Sequence, residues 1–82
     1  MACITVYNAG AGDNNYNFMC PEYNRPHSHL YADSYPGITK CRVASATSES
    51  ILIWTDAYGL ISWRAQNAYS TLLYVEWFMY VP

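Results

Sequence analysis

Few of the 82 side chains have the type and spacing that chemistry requires. His27 and His29 flank Ser28, and in an extended segment both imidazoles would share a face as a metal pair. Cys20, Glu22 or Asp33 would have to complete such a site. Two solvated loop histidines after Pro26 explain the pattern more simply, and no metal or other cofactor is expected. Cys20 or Cys41 with His27 would make a thiol–imidazole pair, but no nucleophile elbow, orienting carboxylate or oxyanion loop accompanies either. Gly10-Ala11-Gly12 looks like a fragment of a phosphate loop without the Lys-Ser/Thr that should follow, so it reads as a turn. Asp13, Asn14, Asn15, Asp33 and Asp56 offer hard oxygen ligands for calcium; turn residues bonding their own backbone are the simpler account. No catalytic residue is assigned, and the chain is not expected to be an enzyme.

What remains is the chemistry of recognition. Nine Tyr, three Trp and two Phe stand among Ser, Asn and Gly, with only 12% charged residues. Rigid amphipathic rings with adaptable hydrogen-bonding neighbours are what binding surfaces use. Four Lys and Arg with a net charge of -2 argue against nucleic acid. The apolar run 72–81 is broken by Glu76 and falls short of the ~20 residues of a membrane span, so no membrane partner is expected. The aromatic content argues equally against disorder. Cys3, Cys20 and Cys41 are odd in number and form no Cys-x-x-Cys pair. They read as small buried hydrophobes, with one disulfide plus a spare thiol as the rival. The first residues carry no signal-peptide pattern, which points to the cytoplasm, with a secreted precursor the alternative.

These residues need elements to position them. Residues 2–7 form an apolar β-rich run, and 8–15, with two Gly, three Asn and an Asp, form a turn. Residues 16–20 alternate aromatic and polar and should return antiparallel to the first strand. Residues 21–37 form a long connection carrying three prolines, Tyr23, Tyr31 and Tyr35. In 38–44, Thr39, Cys41 and Val43 share one face while Lys40, Arg42 and Ala44 share the wet one. Residues 45–50 are polar and end that strand. Residues 51–55 are apolar on both faces, as in a central strand, and Asp56-Ala57-Tyr58-Gly59 turns the chain into 60–64. Phe18, Trp54 and Trp63 are expected in the core. The last third is ambiguous: Ala65, Ala68, Tyr69, Leu72, Leu73, Trp77 and Tyr80 fit a helical stripe, yet 72–81 is dense in strand formers. A turn at 66–70 and a final strand over 72–81 is the primary reading, and a helix over 65–80 the alternative.

Ile4-Thr5-Val6-Tyr7 and Ile51-Leu52-Ile53-Trp54 look alike, and each precedes an aromatic-bearing segment, Tyr16-Asn17-Phe18 or Ile61-Ser62-Trp63. Two similar motifs closing one core would produce this pattern. Here the chain resembles the βγ-crystallin superfamily, whose two Greek-key motifs pack as a β-sandwich. Ile4-Thr5-Val6-Tyr7 is similar to the family's opening strand, 37–45 to the stretch closing the first motif, and 51–59 to the second motif's strand and folded hairpin. The hairpin from Trp54 to Gly59 is two residues shorter than the family pattern, and Gly12 stands where an aromatic belongs. Tyr35-Pro36-Gly37-Ile38-Thr39-Lys40 lacks the family's paired acidic or Asn ligands, so calcium binding by that route is not expected.

The resulting expectation is one all-β domain over 1–82, a small Greek-key sandwich of two motifs. Its role would be non-enzymatic binding to a protein, as an inhibitor or interaction domain, or to a second copy of itself. Tyr74, Phe78, Tyr80, Tyr31 and Tyr35 are the candidate anchors. A carbohydrate-binding module is the alternative, and a structural or calcium-binding crystallin-like protein the third reading.

Overall fold

The computed structural model describes residues 1–21 and 37–79. Six strands follow in order: β1 (Ala2–Asn8), β2 (Asn14–Met19), β3 (Thr39–Val43), β4 (Thr47–Ile53), β5 (Ser62–Ala65) and β6 (Thr71–Phe78). They form two three-stranded antiparallel sheets, ordered β4-β1-β6 and β3-β2-β5. There is no helix among the described residues. The helical stripe in the last third is overridden because β6 finds a ladder partner in β1, where its Tyr, Val, Trp and Phe suit a pleated surface.

The core follows from alternation in the two central strands. Ala2, Ile4, Val6 and Asn8 of β1 are buried while Cys3, Thr5 and Tyr7 face outward. Tyr16 and Phe18 of β2, Cys41 and Val43 of β3 and Ile53 of β4 meet them, with Ile51, Ile61, Ala65 and Leu73 packed around the edge. Each large apolar side chain buried there contributes roughly 1.5–3 kcal/mol. All three cysteines are free, Cys20 and Cys41 buried and Cys3 half-buried.

Four sequence expectations need correction. Residues 16–20 do not pair with the first strand: β2 lies in the opposite sheet, between β3 and β5. The crossing is held by the buried Asn8, whose Nδ2 donates to the carbonyls of Gly12 (2.8 Å) and Val43 (3.0 Å) while its Oδ1 accepts from the Gly10 N–H (2.9 Å). Tyr69 covers this turn so closely that a Cβ on Gly10 would run into its ring. The polar segment 45–50 contains only a brief turn at Ser45 and Ala46, the latter at φ 57°, before β4 begins at Thr47. Its Ser and Thr are tolerated because β4 is an edge strand facing water. For the same reason 51–55 is not central, and Trp54 is 57% exposed rather than core. Trp63 is half a core residue: its ring stacks on Phe18 at 6.4 Å, yet it remains 41% exposed at the edge of the second sheet. Phe18 is fully buried, as expected.

Candidate binding surface

The two layers are joined differently on their two flanks. On one flank β3 turns directly into β4, and the Ala46 N–H donates to the carbonyl of Asn8 at 2.8 Å. On the other, hydrogen bonds among the described residues join β2 to the turn between β5 and β6 and to the first residue of β6. There Asn14 accepts from the Asn67 N–H (2.9 Å) and donates to its carbonyl (3.0 Å), and the Tyr16 hydroxyl bonds the Thr71 hydroxyl at 2.8 Å. Along β6 from that end the inward side chains become more exposed. Thr71 and Leu73 are half-buried, Val75 is 70% exposed and Phe78 55% exposed.

A β-bulge sets which side chains appear on each side. Ile4 pairs with Val75 but Cys3 pairs with Trp77, leaving Glu76 as the extra residue. Tyr74 and Trp77 therefore share the outer face with Thr5 and Cys3, while Val75 and Phe78 turn inward with Ile4 and Ala2. Simple alternation groups Phe78 with Tyr74 and Trp77 with Val75, and the bulge reverses both assignments. Glu76 is held by the Thr5 hydroxyl, which donates to its Oε1 at 2.6 Å and bonds the Ser50 hydroxyl at 2.9 Å.

The end of the sandwich continues the apolar surface. Met1 and Met79 exchange two hydrogen bonds, 2.9 and 3.0 Å, which bring the chain's start beside the end of β6. Met1, Trp54, Asp56, Phe78 and Met79 line a shallow groove of about 280 Å³. Its rim is the 56–60 turn, where Asp56 Oδ1 accepts from the N–H groups of Tyr58 (2.8 Å) and Leu60 (2.9 Å). Gly59 takes φ 79°, and the Phe78 ring lies against it, 3.3 Å from where a Cβ would stand.

Of the expected anchors, Tyr74 and Phe78 are both exposed but on opposite faces of β6. Tyr31, Tyr35 and Tyr80 lie outside the described residues, as do Glu22, His27, His29 and Asp33 of the imagined metal site. Among the described residues no group of three His, Cys, Asp or Glu is placed to hold a metal. Burial, with Glu49 nearby, pushes the Cys41 thiol above its ordinary 9.0, which keeps it protonated at neutral pH. The sequence reading missed Leu52, Trp54 and Trp77 as surface residues. For Leu52 and Trp54 the signal is present in the polar half of β4, since a strand beginning Thr-Ser-Glu-Ser is more readily an edge than a centre; Trp77 is turned outward by the bulge in β6, which no local pattern announces. No family model, curated protein or solved structure matches this chain.

Proposed function

We propose that this is a non-enzymatic binding protein that takes a protein partner along β6. The observation that carries the reading is an edge strand exposed on both faces from Tyr74 to Phe78, with Glu76 its one charge. An edge presents a row of unpaired backbone groups, and an extended segment of another chain can add to it as a further strand. Tyr74 and Trp77 would grip that segment on one side, Val75 and Phe78 on the other. Large exposed apolar patches on soluble domains commonly mark such contacts. An inhibitor or interaction domain fits this use, and a second copy of the chain is one partner the edge could accept.

The finer fold reading belongs with this proposal: a Greek-key sandwich of two similar motifs, as in the βγ-crystallins. Its support is that the look-alike segments are ladder neighbours, Ile4 opposite Ile51 and Phe18 opposite Trp63. A second functional reading has its own observation. The Thr5–Ser50–Glu76 hydrogen-bonded set lies on the same face as Tyr74 and Trp77, a combination of hydroxyls, carboxylate and rings suited to a sugar.

The test compares wild type with Tyr74→Ser, Phe78→Ser and Glu76→Gln in pull-downs from the native host and on a glycan array. A protein retained by wild type and lost by both ring variants supports the first reading. Array binding lost in Tyr74→Ser and Glu76→Gln but kept in Phe78→Ser replaces it with the sugar reading.

A further inference from the structure

The second sheet has an outer face unlike the rest of the molecule. Every Lys and Arg among the described residues, Lys40, Arg42 and Arg64, lies on it. The register sets them in two cross-strand rows, Lys40 and Arg64 flanking Asn17 and Arg42 beside Asn15. Gln66 extends the second row, its Oε1 accepting from Asn15 Nδ2 at 2.6 Å. Together these side chains line a polar trough of about 350 Å³. Asp13 is joined to it, paired with Arg42 at 2.7 Å. The other described acids, Glu49, Asp56 and Glu76, belong to β4, the 56–60 turn and β6. A chain with net charge -2 thus gathers its described cations on one face of three strands.

Like charges on neighbouring positions of a sheet repel. An Asp at position 15 or 17 would relieve that repulsion, but both positions carry Asn, which supplies donors and no charge. We propose that this trough is a binding site for a compact oxyanion of at least two charges, the phosphate or diphosphate group of a small molecule. The dimensions select the ligand class. Lys40 and Arg64 stand two strands apart, about 10 Å, and Lys40 and Arg42 two residues apart, about 7 Å. That footprint matches one or two phosphate groups, whereas a nucleic-acid duplex is gripped by proteins making some 6–10 phosphate contacts. Arg64 and Asn17 already hold partners within the chain, so Lys40 is the primary contact, with Arg42 and Arg64 supplying field from either side. This site is independent of the apolar edge at β6.

The experiment is a titration of the full chain with sodium pyrophosphate, followed by calorimetry and by amide NMR shifts, with sodium sulfate and a short single-stranded DNA as parallel ligands. The expected result is saturable pyrophosphate binding that weakens with salt and moves the amides of Asn15, Asn17, Lys40 and Arg42. Lys40→Gln should weaken it about tenfold, the loss of one charge-assisted contact, while Phe78→Ser leaves it unchanged. Lys40 is exposed, so its variant should fold; the wild-type shift map tests the site by itself in any case. Absence of saturation at millimolar pyrophosphate, shifts centred on β6, or undiminished affinity in Lys40→Gln overturns the proposal. DNA binding far tighter than pyrophosphate also overturns it, by replacing the compact ligand with a polymer.

Discussion

Two buried carboxamides, Asn8 and Asn14, tie the turns to the strands of the two layers. Asn8 and Asn14 have no exposed surface, and each uses its Nδ2 as a double donor and its Oδ1 as an acceptor. A buried amide satisfied in this way costs little; the expense appears when one partner is removed. Asn8→Ala strands the Gly10 N–H and the carbonyls of Gly12 and Val43, so urea unfolding should show a loss of about 2–4 kcal/mol. The exposed Asn15→Ala should stay within about 0.5 kcal/mol. From the sequence these asparagines read as turn residues, which locates them correctly and misses their burial, because nothing local shows which distant carbonyls they reach. Cys41 supplies a second expectation. Its thiol is raised above 9.0 by burial and by Glu49, so the folded chain holds that proton more tightly than the unfolded one. The stabilisation is full below the ordinary thiol pKa and declines as pH climbs through the raised folded value. The melting temperature of wild type should therefore fall more steeply in the alkaline range than that of Cys41→Ala.

Among the strands, those with clean alternation were legible and those whose identity depends on a neighbour were not. Residues 38–44 alternate apolar and cationic, and β3 places Cys41 and Val43 inside and Lys40 and Arg42 outside, as that pattern requires. Residues 16–20 were recognisable as a strand, but partner choice is a three-dimensional property, decided here by the crossing that Asn8 secures. In β6 the obstacle was one residue. With Glu76 counted, alternation fails after Val75; with Glu76 omitted, Ile4–Val75, Cys3–Trp77 and Ala2–Phe78 become consecutive rungs of a regular ladder. Deleting Glu76 should therefore be tolerated, with loss of the Thr5 hydroxyl contact as its main consequence and a cost below about 1 kcal/mol. Deleting Leu73 instead leaves the bulge and throws the remaining rungs out of phase, turning apolar side chains to the wrong face. Thermal melts of the two deletions, with cross-strand NMR contacts between Cys3 and Trp77 retained only in the first, check this.

At the scale of the molecule, the two described sheets are joined directly where β3 turns into β4, with β5 and β6 as the edges on the opposite flank. A chain this short buries a modest share of its surface, and its aromatic wealth exceeds what two three-stranded layers can cover. The excess is left exposed, among the described residues at Trp54, Tyr58, Trp63, Tyr74, Trp77 and Phe78, and composition alone could announce rich aromatics without saying which rings would be left outside. Phe18 and Phe78 make the contrast measurable. Phe18 is fully buried between Tyr16 and Trp63, so Phe18→Ala should cost about 3–5 kcal/mol and leave little folded protein. Phe78 is 55% exposed and lies against Gly59, so Phe78→Ser should shift stability by about 1 kcal/mol or less, a few degrees in melting temperature. If β6 is an interface, that same variant should lose association while keeping its fold. In light scattering, wild type should grow in mean mass with concentration, or on adding the partner, and Phe78→Ser should remain at 9.4 kDa. A wild type that stays monomeric alone and with every candidate partner, together with a Phe78→Ser variant that unfolds, would place Phe78 in the core and rule out the β6 interface.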